Sequence, residues 1–146
     1  MKLIREVMKE KSLQQLVTIG PKATAVEAAG LMALWSVGAL LVFEGGRLVG
    51  LLSERDYVRA AELTERASAS LVEDLMMRDV RLVPSDLTTD EAMMLMTHLR
   101  LRHLPVTENG RVLGVISIGD LVKDVVGEQA FVIDQLERYI TRAANA

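Results

Sequence analysis

The sequence predicts an α/β (α+β) fold: two tandem β-α-β-β-α repeats packed sheet to sheet, with flanking helices at the N- and C-terminal ends. Three observations carry this expectation. Shifting the chain by 64 positions, so that Ser53 meets Ser117, aligns residues 24–58 with 88–122 without a gap. Identities then fall along the whole unit, among them Thr24/Thr88, Glu27/Glu91, Met32/Met96, Leu40/Leu104, Gly50/Gly114, Ser53/Ser117 and Asp56/Asp120. Within each copy the apolar pattern passes from helical spacing to a pair of strand-like runs and back to helical spacing. A three-stranded sheet with two helices on one face leaves apolar surface on the other, so two such units pack against each other.

The elements follow in order. Ile4-Arg-Glu-Val-Met8 and Val72-Glu-Asp-Leu-Met76 echo one another, so each repeat is expected to carry its own short lead-in helix. A lead-in strand is expected around Val17-Thr18-Ile19, with extra residues before it at 12–15 and a turn at Pro21. Thr24 and Thr88 stand three residues before Glu27 and Glu91, the spacing of a capping box, in which the threonine hydroxyl accepts from an orphan backbone N–H. The helices that follow place Ala28, Leu31, Met32 and Trp35, and Ala92, Leu95, Met96 and Leu99, on one face. By that spacing Trp35 is core or a dimer contact, the Met93, Met94 and Met96 run is helix core, and His98 is structural.

Ser36-Val37-Gly38 breaks the first helix before a hairpin, residues 39–43 and 47–52 around Glu-Gly-Gly. The second hairpin turns on Asn109-Gly110, two residues that tolerate positive φ. Each hairpin ends at a serine that opens a helix, Glu54 to about Ala61 and Ile118 to about Val126. The polar stretch 64–70 reads as a linker, and residues 129–142 as a further helix that docks on the N-terminal helix or on a partner chain. The expected organisation is therefore 1–63 for repeat one with its N-terminal helix, 64–70 linker, 71–127 for repeat two, and 128–146 for a C-terminal helix and tail. Such helical faces on a small two-repeat body favour a homodimer, which would remove apolar surface from water.

Composition excludes several classes. A formal charge of −3 without a strongly basic run gives no footprint for nucleic acid. No cysteine is present, so disulfides and cysteine-ligated zinc are out, as a reducing cytoplasmic setting permits. The charge-free run 28–43 falls short of the about 20 apolar residues of a membrane helix, and the N-terminus lacks the apolar core of a signal peptide. His98 and His103, with no His-Glu-x-x-His spacing, provide no metal site. Neither a nucleophile elbow nor a Walker loop nor a Gly-x-Gly-x-x-Gly is present, so the expectation is no enzyme and no catalytic cofactor.

What remains is the duplicated stretch Gly50-Leu-Leu-Ser53-Glu-Arg-Asp56 and Gly114-Val-Ile-Ser117-Ile-Gly-Asp120. A helix start collects unpaired N–H groups and the positive end of the macrodipole, a place for a polar ligand. A carboxylate there repels an anion and suits hydroxyl donors instead, as with ribose in dinucleotide folds. Taken alone, each Ser-x-x-Asp is equally a capping box. Arg100, Arg102 and His103 precede the second hairpin, where an arginine fork fits phosphate or simply faces solvent.

With these stretches, and with "Gly-Ala-Leu-Leu-Val" and "Arg-His-Leu-Pro-Val" before them, the chain strongly resembles a tandem pair of cystathionine β-synthase (CBS) domains over residues 7–126, in the manner of small stand-alone bacterial members. The resemblance implies a cytoplasmic regulatory module that binds adenosine-containing ligands such as AMP, ADP, ATP or NAD between the repeats, forms a homodimer, and signals to another protein. It implies that Asp56 and Asp120 accept from ribose hydroxyls, and that Ser53 with Arg55, and Ser117 with Gly119, lie beside phosphate. For the Asp120 site the adenine would rest on Thr18, Ile19, Gly38 and Ala39; the matching positions for the Asp56 site would be Arg81, Leu82, Arg102 and His103. Arg102 and His103 are alternatively implied as phosphate ligands of the Asp120 site. A ligand-free dimerising scaffold and a nucleotide hydrolase are the competing readings.

Overall fold

The computed structural model describes residues 2–10, 16–63, 65 and 69–144. Its elements are α1 (Ile4–Glu10), β1 (Thr18–Ile19), α2 (Ala25–Trp35), β2 (Ala39–Glu44), β3 (Arg47–Ser53), α3 (Glu54–Leu63), α4 (Val72–Leu75), β4 (Val83–Pro84), α5 (Thr89–Leu99), β5 (His103–Glu108), β6 (Arg111–Ser117) and α6 (Ile118–Ala144). The expected insertion at 12–15 and most of the linker at 64–70 lie outside the described residues. No helix among the described residues is long and apolar enough to cross a membrane.

Two three-stranded sheets form, β1-β2-β3 and β4-β5-β6, each with a short parallel pair followed by an antiparallel hairpin. Their turns use left-handed backbone at Gly45 and Gly46 and at Asn109 and Gly110, which matches the twist of the flanking strands. Thr24 and Thr88 cap α2 and α5 as expected, accepting from the N–H of Glu27 at 3.2 Å and of Glu91 at 3.1 Å. Both helices end on a left-handed residue, Ser36 and Arg100.

Strand alternation sorts the core into layers. Leu40, Val42 and Leu52 face the helices of their own sheet with Ala28 and Met32. Ala39, Leu41 and Leu51 face the other way and meet Val112 and Val115 of the second sheet. That is the sheet-to-sheet packing the sequence predicts.

The lead-in helices depart from expectation. Ile4, Val7 and Met8 of α1 are buried with Val83, Met96, Leu104 and Ile116, in the core of the second repeat. Conversely, Val72 and Met76 pack with Ala28, Met32, Leu40 and Leu52 in the core of the first. Backbone bonds fix the exchange: Ile4 N–H donates to the Leu87 carbonyl and Thr89 N–H to that of Lys2, while Val72 N–H donates to Ala23 and Ala25 N–H to Ser70. The expected unit 1–63 is therefore contiguous in sequence, but its N-terminal helix completes the opposite core. Gly50 is the contact point on one side, since a Cβ there would overlap the Met76 side chain and lie 3.1 Å from the Met77 carbonyl oxygen.

Further corrections concern the helices. The last helix of repeat two and the expected separate tail helix are one, α6, running through the boundary at 127/128. Gly127 lies within it; an interior glycine costs about 1 kcal/mol relative to alanine, too little to end a 27-residue helix. From Val126 onward this helix is exposed, with Ile133, Leu136 and Ile140 outward. Of the methionine run only Met96 is buried, Met94 being exposed, and His98 is exposed as well.

Candidate functional site

Each hairpin delivers its serine to the same local structure. Glu54 N–H, the first of α3, donates to the Gly38 carbonyl at 3.0 Å, and Ile118 N–H, the first of α6, to the Arg102 carbonyl at 2.8 Å. The helix starts are thereby pinned to the residues that open their own hairpins. Asp56 N–H donates to Ser53 Oγ at 3.2 Å, while Ser53 N–H and Oγ–H both donate to Asp56 Oδ2 at 2.9 Å. In the second copy Asp120 N–H donates to Ser117 Oγ at 3.1 Å and Ser117 N–H to Asp120 Oδ2 at 2.8 Å. Both capping boxes are thus closed. A carboxylate offers about four acceptor sites, so the cap does not exhaust either aspartate.

Two clefts open beside these helix starts, and each is built from both repeats. The Asp120 cleft, about 310 Å³, is lined by Ser117, Gly119, Asp120, Lys123 and His103 from repeat two and by Gly38 and Ala39 from repeat one. Its apolar walls are Leu16, Val17, Trp35, Val37, Leu41 and Val115. The Asp56 cleft, about 420 Å³, is lined by Ser53, Glu54, Arg55, Asp56 and Arg59 on one side and by Arg100, Leu101, Arg102 and His103 on the other. Leu51 and Met77 form its floor. Both volumes fall at the lower end of the range of about 300–1,000 Å³ for small-molecule sites. The clefts meet at Gly38, His103, Ser117 and Gly119, which line both; a Cβ on Gly38 would stand 3.2 Å from His103 Nε2, so the glycine leaves room for the ring.

The structure brings together Gly38, Ala39, His103, Ser117, Gly119 and Asp120 at one cleft, and Ser53, Arg55, Asp56, Arg102 and His103 at the other, where Gly38, Ser117 and Gly119 form part of the lining too. Four expected residues lie elsewhere. Thr18 and Ile19 are the two residues of β1, paired with Leu41 and Val42, and the cleft wall is formed by the residues just before them, Leu16 and Val17. Ile19 packs into the first core, and Thr18 lines a separate open pocket with Leu31 and Trp35. Their register partners in repeat two are Leu82 and Val83, since Val83 pairs with Val106. Arg81 points away and pairs with Asp79 at 3.4 Å, and Leu82 is half-exposed; neither lines the Asp56 cleft. Arg102 lies on the Asp56 side, whereas His103 reaches both.

Several lining residues were not expected. Arg59 and Lys123 stand three residues past each aspartate, one helical turn along, and the repeat register shows both as basic. Trp35 is not core: it is 42% exposed and forms one wall of the Asp120 cleft. Ser36, also not expected, takes the place in the Asp120 cleft that Arg100, one of the basic residues before the second hairpin, takes in the Asp56 cleft, each at a left-handed helix end. Among the described residues no group of three or more His, Cys, Asp or Glu side chains is arranged to hold a metal ion.

Comparison with known proteins agrees with this architecture. A CBS-domain protein of known structure from Burkholderia ambifaria is 42% identical, with a TM-score of 0.82, covering 88% of this chain and 96% of that one. CBSX2, solved in complex with AMP, shares the fold at 24% identity and a TM-score of 0.65, covering 80% of this chain and 92% of its own. The Arabidopsis thaliana mitochondrial protein CBSX3, a CBS domain-containing protein, is 37% identical over 123 residues; the alignment covers 80% of this chain and 60% of the length of CBSX3. The CBS-domain family model matches twice, at residues 4–63 and 72–127. With both copies matched and the two sheets packed as a pair, the chain belongs to the CBS-domain family.

Proposed function

We propose that the protein is a regulatory module that binds adenine nucleotides, AMP, ADP, ATP or NAD, in the clefts between its repeats. The observation that carries this reading is that each closed Ser-x-x-Asp helix start faces the hairpin base of the other repeat across a cleft with an apolar wall. Ribose hydroxyls donate to Asp56 or Asp120, the base lies on the apolar wall, and phosphate turns toward the helix start with Ser53 and Arg55 or Ser117 and Gly119. CBSX2, a protein of the same fold, holds AMP, which supports an adenine nucleotide here. A ligand joining both repeats changes their relative geometry only by binding one arrangement better than another. A cytoplasmic homodimer, formed through exposed helical surface, would pass that change to a regulated partner protein.

Thermal unfolding with AMP, ATP and NAD tests the proposal. A ligand at one hundred times its Kd stabilises by about 2.7 kcal/mol, so a rise in Tm at millimolar nucleotide is expected, and no rise with any of the three overturns it. The scaffold reading is favoured by the closed capping boxes, which account for Ser-x-x-Asp without a ligand. Asp120→Ala separates the two: a scaffold loses about 1 kcal/mol of cap stability and nothing else, whereas a sensor loses nucleotide affinity at that cleft with its fold intact. Long incubation with ATP or NAD followed by product analysis is expected to return the nucleotide unchanged; turnover would make the protein a hydrolase.

A further inference from the structure

We propose that the two clefts divide nucleotide recognition, the Asp56 cleft selecting the polyphosphate of a nucleoside triphosphate and the Asp120 cleft reading the base of a monophosphate by stacking on Trp35. This inference rests on the proposed nucleotide binding and adds which ligand each cleft takes.

The Asp56 cleft is lined by four arginines, Arg55, Arg59, Arg100 and Arg102, against Glu54 and Asp56, a formal charge of +2 with His103 neutral. At the corresponding places the Asp120 cleft has Gly119, Lys123, Ser36 and Gly38, and its one lysine is balanced by Asp120. The repeat is its own control. Residues 55, 59, 100 and 102 occupy the same turns and helix positions as 119, 123, 36 and 38, and the unit folds with glycine, serine or lysine there. The fold therefore does not demand the arginines. Nor are they held by local salt bridges: the ion pairs among the described residues involve Lys2, Lys22, Arg81 and Arg138, not these four. Arg100 sits at a left-handed helix end with φ of 57°, where asparagine or glycine fits with less strain, so its backbone gives no reason for arginine. Four guanidinium forks converging on one cleft match a chain of phosphates, whose several oxygens accept bidentate donors.

The Asp120 cleft has the opposite character. Trp35 exposes part of its ring beside Leu16, Val17 and Val37, a slot of aromatic and aliphatic surface suited to a flat heteroaromatic base. The counterpart of Trp35 is Leu99, which does not line the Asp56 cleft. Its polar end sets one lysine against one aspartate and holds no arginine, so it offers no run of cations for a chain of phosphates.

Trp35 is the only tryptophan of the chain, so its fluorescence reports the Asp120 cleft directly. The experiment titrates the full-length protein with AMP and with ATP, following tryptophan emission and, in parallel, heat of binding. AMP is expected to change the emission; ATP is expected to bind, by calorimetry, at concentrations that leave the emission unchanged. Arg59→Gln combined with Arg102→Gln, both exposed positions, is expected to weaken ATP at least tenfold while AMP affinity stays within twofold, and 0.5 M salt is expected to weaken ATP more than AMP. Trp35→Leu is expected to weaken AMP and leave ATP alone. Equal losses of AMP and ATP in the double variant, or AMP binding that does not perturb Trp35, overturn the division while leaving nucleotide binding standing. Absence of heat and of thermal stabilisation with either nucleotide overturns the proposed function itself, and the division with it.

Discussion

The two clefts are made by the same unit used twice, and they differ most where the unit is least constrained. Their helix starts are alike: Ser53 and Asp56, like Ser117 and Asp120, close a capping box, and each helix is pinned to the residue that opens its hairpin. The residues that differ, Arg55/Gly119 in the first turn of a helix, Arg100/Ser36 at a helix end and Arg102/Gly38 just before a hairpin, enter no core. A duplicated fold can therefore keep its caps and its sheet alternation while its clefts diverge in charge. Identity between repeats marks what holds the structure, and difference marks where recognition is free to change.

The same comparison applies to the cores, which exchange their lead-in helices. Substituting Ile4, fully buried, by alanine is expected to cost about 3 kcal/mol, as large-to-small changes in packed cores do. Because Ile4 completes the core of repeat two, amide hydrogen exchange should accelerate first in β4–β6, remote in sequence, rather than in the neighbouring β1–β3. Val72→Ala, also fully buried, should do the reverse at about 2 kcal/mol. Faster exchange in the sequence-adjacent sheet in either variant would break the exchanged arrangement.

One tie on the exchanged helices has no counterpart. Lys2 Nζ donates to Asp124 Oδ1 at 2.8 Å and to Glu10 at 3.1 Å, bridging the start of the chain to α6. The matching positions in the other half are Ser70 and Ala60, which carry no charge. Asp124 is almost fully covered, and its second oxygen has no donor among the described residues. Lys2→Ala leaves that carboxylate without its cation and is expected to cost about 2 kcal/mol at pH 7. The hydrogen bonds to Asp124 and then Glu10 hold the Lys2 ammonium above its ordinary value of 10.5. A raised folded-state value means that the contribution is complete below 10.5 and is lost only as the pH climbs through the folded value. The gap between wild type and Lys2→Ala, measured by urea unfolding, should hold from pH 6 to 10 and narrow above that. A gap that narrows already between pH 6 and 9 would show that the pair does not act in this way.

Much of this was legible in the chain because the repeat supplied its own alignment. Thr24 with Glu27, Asn109 with Gly110 and Ser53 with Asp56 each encode a local structure through one side chain and its backbone neighbour, and each formed. The exchange of α1 and α4 was not legible: Ile4, Val7 and Met8 carry the same apolar pattern as Val72, Leu75 and Met76, so periodicity fits either helix to either core. Trp35 keeps helical spacing with Leu31 and Met32, but as the last residue of α2 it stays partly exposed and joins no core cluster, and spacing alone does not show where a core ends. The resemblance implies Thr18 and Ile19 at the cleft, but a two-residue strand leaves its register unstated in the sequence, and pairing with Leu41 and Val42 puts Leu16 and Val17 on the cleft wall instead. Arg59 and Lys123 were visible as matched basic residues one turn past each aspartate, a signal that needs only the register to be extended.

The finest test of the two halves lies at the caps. Glu27 N–H donates to Thr24 Oγ1 at 3.2 Å, and Glu91 N–H donates to Thr88 Oγ1 at 3.1 Å. Thr88 has one further bond, its hydroxyl donating to Glu91 Oε1 at 2.8 Å. Removing either threonine hydroxyl should cost about 1 kcal/mol, the usual worth of an N-cap. The additional bond at Thr88 is exposed, so it should add only a few tenths of that. Thr24→Ala and Thr88→Ala are therefore expected to lower stability almost equally in urea unfolding, with Thr88→Ala slightly the larger. Glu91→Ala should then erase the difference, because it removes the one bond by which the caps differ while leaving the Glu91 backbone N–H to its threonine. A difference that survives Glu91→Ala would place the inequality of the two halves in their helices rather than in their caps.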